Sequence, residues 1–216
     1  MTGKVWVSLM MKDSTLFKRL SADIVLNDKW NAIDASERHE KGEWLPAERF
    51  PKEIYGMFYD RKEKKLPGIF YGNGFWCVSA ACAEVLLRFD LGKGGIYPVK
   101  LLQHDRVTPI EGEYFCLNFG AHKTAFLREL TTGGLYIPQH QGSVVWLSSP
   151  VDDFSIAVSE NALEGPDLWM DPGLGKAIFF SDRLVGALKA ANMSRRFRFR
   201  KCRIVEAEEN QSGKSP

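Results

Sequence analysis

Two blocks of this chain follow one plan, and that plan restricts the fold more than any other feature. GFWCVSAACAEVLLRFDL, residues 74–91, and AIFFSDRLVGALKAANM, residues 177–193, align with Ser79 on Ser181, Leu86 on Leu188 and Leu91 on Met193. Each block opens on a short apolar run and passes a serine able to accept a hydrogen bond from the first free amides of a helix. Apolar residues then recur at helical spacing, at Cys82, Val85, Leu86 and Phe89 in one block and at Leu184, Val185, Leu188 and Ala191 in the other. Gly92, Gly94 and Gly95 end the first helix and Asn192 the second. A β-like segment follows each, residues 96–102 with Val99 and Leu101 on one face, and residues 195–205. At this separation the pattern describes a strand–helix–strand unit used twice, not a solenoid. The identity is thin enough that duplication and chance are both open.

The remainder reads as strands and loops. Residues 5–11 (VWVSLMM) predict a first strand, and residues 54–59 (IYGMFY) a short one inside the charge-dense stretch 36–65, which is otherwise read as loops. Residues 113–119 (EYFCLNF) are apolar on both alternating faces, which places that strand centrally in a sheet. Residues 143–148 (SVVWLS) predict a strand closed by Pro150, with turns at 131–134 and 139–142. In residues 195–205 (RRFRFRKCRIV), Phe197 and Phe199 face inward and the inward set then slips to Cys202 and Ile204, which predicts a β-bulge near 200–201. The expected class is α+β: a mainly antiparallel or mixed sheet with at least two packed helices, residues 80–89 and 182–191. No Pro/Gly/Ser-rich linker separates the two blocks, so one domain spanning 1–205 is expected, with 206–216 a frayed tail lacking an apolar anchor.

Composition excludes more than it identifies. A 216-residue chain with 44% hydrophobic and 26% charged residues can build a core without staples. Its 14 Phe and 6 Trp point to an aromatic-rich, sheet-centred core. Lys+Arg of 29 against Asp+Glu of 27 leaves a net charge of +2, so the molecule as a whole gives no argument for nucleic acid or membrane. No run approaches the ~18 apolar residues of a membrane helix. The apolar stretch before Asp13 is too short for a secretory leader, and the expected location is cytoplasmic. Cys77, Cys82, Cys116 and Cys202 sit among apolar neighbours, without the spacing of a zinc knuckle or redox pair, and read as buried reduced thiols.

Chemistry-bearing residues are sparse. His104-Asp105, with Glu111 and Glu113, could seed an acid–base site or be a polar turn between strands. His39, His104, His122 and His140 lack paired ligand spacing, so no metal site is expected. Gly92-Lys93-Gly94-Gly95 and Gly173-Leu174-Gly175-Lys176 lack the phosphate-loop spacing, and no cofactor site is expected. The strongest electrostatic feature is the 195–205 segment, where alternation would put Arg196, Arg198 and Arg200 outward in a row. Such a row could grip acidic groups on a protein, contact phosphate, or guard a sheet edge. Trp30, Trp44 and Arg49 lie in the charge-rich N-terminal third and are the other candidate contacts for a macromolecular partner. Trp169 reads as core, and Asp171 as the cap of a turn at Pro172-Gly173.

Residues 167–206 carry Trp169, Asp171, Leu174, Phe179, Ser181, Leu184, Ala187, Leu188 and Ala191 in a pattern that resembles immunity-protein family eleven, first catalogued as a domain of unknown function. The aromatic strand 113–119 with its Leu117-Asn118 pair resembles the same family, so the likeness spans residues 71–206 and leaves 1–65 as a variable N-terminal part. The resemblance implies a cytoplasmic, non-enzymatic protein that binds and neutralises a cognate bacterial toxin, of type VI secretion or another polymorphic toxin system. The competing readings are a small hydrolase or transferase working through His104 and a carboxylate, and a nucleic-acid module working through the basic segment.

Overall fold

A computed structural model of the chain describes residues 3–132, 135–136, 145–147 and 151–206. Its contacts fall into two compact units. One is Asp13–Ala121; the other joins the first twelve residues to the segment from His122 onward. The second unit is therefore built from both ends of the chain. The predicted turn at 139–142, His140, Gly133-Gly134, the ends of the 143–148 strand and the tail from 207 lie outside the described residues.

Strand β1 (Val5–Ser8) opens the chain. The first unit then carries β2 (Phe17–Lys18), β3 (Leu20–Ala22), α1 (Asp23–Asn27), α2 (Lys29–Glu40), β4 (Glu53–Gly56), β5 (Ile69–Gly72), β6 (Phe75–Ser79), α3 (Ala80–Leu86), β7 (Gly95–Leu102) and β8 (Tyr114–Asn118). Its sheet runs β2-β5-β6-β8-β7-β4-β3. The two outermost strands are consecutive in sequence, separated only by Arg19. β2 pairs in parallel with β5 (Phe17↔Tyr71, Lys18↔Gly72), and β3 pairs antiparallel with β4 (Leu20↔Gly56). One short stretch of chain thus bonds both sides of the sheet and nearly closes it into a barrel, which removes the exposed edges that an open sheet leaves. Gly72 fits closely at the seam: a Cβ there would meet Leu20 Cδ1 at 3.1 Å and Phe70 Cε2 at 3.3 Å, so those side chains would have to give way slightly.

The alternation of each strand sends one set of side chains to a shared core: Leu20, Ile54, Phe70, Phe75, Cys77, Val99, Leu101, Tyr114 and Cys116. β8 is central, bonded to β6 on one side and β7 on the other, as its doubly apolar sequence requires. Its two terminal residues latch the barrel ends. Tyr114 accepts from the Leu66 N–H at 3.1 Å and donates to the Leu66 carbonyl at 2.7 Å. Asn118 donates to the Leu45 carbonyl at 2.7 Å and accepts from the Leu45 N–H at 3.4 Å. Both leucines are buried in the same core, so each side chain satisfies a backbone that could not otherwise enter the interior.

Helix α2 covers the Asn118 end, burying Ala32, Ala35 and His39; its Asp28 cap accepts from Trp30 N and Asn31 N at 3.1 Å each. The sequence placed loops over the second half of this helix. Two alanines and a histidine make a buried face with no hydrophobic period to read. The 54–59 strand is also shorter than its apolar run, since β4 stops at Gly56. The first strand likewise ends at Ser8, before a 3-10 turn at Met10–Lys12.

The second unit continues with β9 (Leu135–Tyr136), β10 (Val145–Leu147), β11 (Ala157–Ser159), β12 (Leu168–Met170), β13 (Leu174–Gly175), β14 (Ile178–Ser181), α4 (Asp182–Ala190), β15 (Phe199–Lys201) and β16 (Arg203–Val205). Its main sheet has the order β12-β14-β1-β15, with every neighbour antiparallel. The first unit contains the same arrangement in β5-β6-β8-β7. In both, the strand before the helix and the strand after it are parallel and separated by one antiparallel strand. That middle strand is β8, downstream of its block, in one unit, and β1, from the start of the chain, in the other. The paired sequence blocks therefore share a topology. Only Ser181 acts as predicted, accepting from Leu184 N at 3.2 Å; Ser79 holds the cap position without a side-chain bond.

The 195–205 segment is not one bulged strand. Residues 194–197 form a 3-10 turn, Arg198 is left-handed at φ 53°, β15 pairs with β1, and β16 pairs with β11. The inward slip read from Phe199 to Cys202 marks a change of sheet.

Removing either latch leaves a buried N–H and C=O unpaired. Tyr114→Phe and Asn118→Ala are each expected to lower unfolding free energy by about 2–3 kcal/mol, with the urea m-value unchanged. Losses under about 0.5 kcal/mol in both variants would remove the latches from the account.

Candidate functional site

Exposed large apolar side chains concentrate on the first unit. Trp30 is 77% exposed on α2, with Ile33 one turn further along the same helix, and Leu26 on α1 is 62% exposed. Trp44 is 46% exposed beyond the helix end. Arg49 is committed to the fold: its guanidinium donates to the Asp34 carboxylate at 2.6 Å and to the Asn31 carbonyl at 3.2 Å, tying the 3-10 turn Ala47–Arg49 to α2. The other three candidate contacts belong to the second unit. Arg196 and Arg198 are exposed, but Arg200 turns in to bond the carbonyls of Val151 at 2.9 Å and Phe199 at 3.0 Å. The outward arginine row does not form, because residues 194–198 are not extended.

A second group of exposed residues escaped the sequence reading. Once β4 ends at Gly56, Met57, Phe58 and Tyr59 are set outward, and Tyr59 is 83% exposed. Val107, 80% exposed, stands on the neighbouring loop after β7. The two loops are bound together: Gln103 exchanges two hydrogen bonds with the Glu63 backbone at 3.1 and 2.6 Å, and His104 Nδ1–H donates to the Gly56 carbonyl at 3.2 Å. Gly56 was the available signal, since it breaks the apolar run where the strand stops.

The titratable groups near these loops have structural roles. His104 is exposed, and Asp105 closes its own turn by accepting from Val107 N at 2.9 Å, Thr108 N at 2.8 Å and the Thr108 hydroxyl at 2.6 Å. Those bonds hold the Asp105 carboxyl down at about 2. Glu111 pairs with Lys65 at 3.5 Å. The polar turn, one of the two readings of this stretch, is what forms. Gly94 lets two backbones cross, since a Cβ would meet the Asn118 and Phe119 carbonyls at 2.4 Å. Among the described residues no group of three His, Cys, Asp or Glu could hold a metal ion.

All four cysteines are free and buried. Burial pushes the Cys82 thiol up to about 12, and raises Cys116 and Cys202, which leaves little thiolate for nucleophilic chemistry. In the second unit a cavity of about 290 Å³ is lined by Lys4, Phe154, Lys201 and Cys202, with no carboxylate or imidazole on its wall. Trp169 is core, stacked on Phe179 at 5.6 Å between centroids. Asp171 accepts from Gly173 N at 2.8 Å, as a turn cap should, and from Ala125 N and Phe126 N at 2.7 and 2.8 Å.

His39 is fully buried between Phe50, Phe75 and Phe119. Trp76 N–H donates to its Nε2 at 3.0 Å, and its Nδ1 has no partner among the described residues. Burial drives its pKa down to about 3.

The family model described as an immunity protein family, Imm11, matches residues 13–203. The match includes most of the N-terminal part that carried no resemblance when read by sequence, and it leaves out β1. No curated protein matches the chain.

His39 makes folding pH-dependent in a defined window. Its folded pKa lies below the unfolded value of about 6.5, so only the unfolded chain takes up a proton as pH falls from there towards 3. Stability is lost on acidification at up to about 1.4 kcal/mol per pH unit, and this group contributes no slope above pH ~7. Between pH 7.5 and 5.0, His39→Gln should lose about 2 kcal/mol less than the wild type. Equal losses in the two proteins would show that His39 is not the proton-linked group.

Proposed function

The chain belongs to the immunity protein family Imm11, and from that membership we propose that it protects a bacterial cell by binding a cognate secreted toxin and covering the surface the toxin needs. The family match over residues 13–203 carries this reading. The exposed aromatic residues of the first unit agree with it. Interfaces that must hold at low concentration draw most of their energy from a few Trp, Tyr and Arg side chains, ringed by contacts that exclude water. Two exposed tryptophans and the tethered loops bearing Tyr59 supply such side chains on rigid supports. The toxin is a polymorphic effector, of type VI secretion or a comparable route, and the encounter takes place in the cytoplasm. The chain itself makes and breaks no covalent bond.

Co-purification of the chain with the toxin encoded beside its gene tests the proposal, together with co-expression in cells expressing that toxin. A stable complex and restored growth are expected. Failure to bind, with no relief of toxicity, would remove the proposal. Activity lost in His104→Ala with toxin binding intact would favour an enzyme instead.

A further inference from the structure

The paired loops at the Tyr114 end of the barrel form an exposed surface held by hydrogen bonds between and within the loops. Met57, Phe58, Tyr59 and Val107 stand out from loops locked by Gln103 and by the Asp105 turn. Exposed apolar tips held this firmly lose little conformational freedom when they are covered. Around them the charge leans slightly positive. Arg19 and Arg61 flank the Phe58 ring at 5.8 and 5.9 Å from its centroid, and no carboxylate among the described residues lies in salt-bridge range of either. Lys62 and Lys64, next along the chain from Arg61, are exposed. Of the nearby acids, Glu53 pairs with Arg106 at 3.0 Å, and Asp105, held ionised by its own turn, keeps its negative charge and interacts with Lys62. Asp60 and Glu63 remain against Arg19, Arg61 and Lys64, a small excess of positive charge.

We propose that this loop pair is the toxin-docking surface and that it takes an acidic, apolar-centred patch of the toxin, with Tyr59 and Phe58 as anchors and Arg19 and Arg61 as their cationic flanks. The proposal rests on the immunity reading and adds to it a site and a partner chemistry. An arginine already stacked on an aromatic ring is held for bidentate contact with a carboxylate. Clustered cations facing an acidic patch also speed association in a salt-dependent way. A partner with a basic face would meet Arg19 and Arg61 beside the Phe58 ring.

The test measures affinity and association rate of the purified chain for the toxin encoded beside its gene, at two salt concentrations, with folding checked by thermal melts. Tyr59→Ala is expected to weaken binding at least about tenfold. Arg19→Glu with Arg61→Glu should slow association at least about tenfold at low salt and flatten its salt dependence. Leu87→Ala, at an exposed apolar residue outside these loops, should change affinity less than about threefold. Wild-type binding that survives all the loop variants would overturn the surface while leaving the immunity reading intact. A loss on Tyr59→Ala without any effect of the arginine reversals would overturn the acidic partner. No binding by the wild type would remove both readings. Single-stranded oligonucleotide binding lost in Tyr59→Ala, with toxin affinity unchanged, would assign the loops to nucleic acid and overturn the proposal.

Discussion

Residues 17–22 make the first unit possible by pairing with β5 on one side and β4 on the other. Without that segment, both β5 and β4 would present unpaired backbone along an apolar strand. With it, the sheet shields its own edges and its inward side chains need only fill a narrow interior. The ends of such a barrel are its weak points, because loops that cross them bring backbone polar groups into an apolar space. β8 answers both ends from one strand, with a tyrosine hydroxyl bracketing Leu66 and an asparagine amide bracketing Leu45. Rigid ends of this kind can hold exposed aromatic residues in fixed positions, and the link from fold to binding rests on that rigidity.

The shared plan of the two units follows from elementary handedness. A strand, a helix and a parallel strand leave a gap that an antiparallel strand can fill from either direction along the chain. The first unit fills it with β8 and the second with β1. Similar block sequences at residues 74–91 and 177–193 can therefore serve one topology although the middle strand comes from different places.

What could be read from the sequence was whatever expresses itself as local periodicity. The central strand 114–118 was legible because both of its faces are apolar, the α4 cap because Ser181 precedes an apolar helical stripe, and Asp171 because Pro-Gly follows it. The class, α+β with mixed sheets, followed from those elements. Barrel closure was not legible, since Phe17-Lys18-Arg19-Leu20-Ser21-Ala22 has no distinctive alternation and its pairing is wholly non-local. Helix α2 hid behind alanines and a histidine. The break at Arg198 hid because an arginine gives no warning of a left-handed backbone. As to the candidate site, Trp30 and Trp44 are exposed as a contact role needs. Arg49 and Arg200 are spent on internal bonds, and the Met57–Tyr59 tips are hidden in the sequence because they continue the apolar run of β4.

The central claim is that protection comes from covering the toxin and involves no chemistry performed on it. Titrating the purified chain into a fixed amount of active toxin, and following residual toxin activity over time, tests this most directly. The account predicts inhibition that saturates at a fixed molar ratio, stays constant with incubation and reverses when the complex is dissociated. Inhibition by far less than one equivalent that deepens with time and persists after the chain is removed would contradict it.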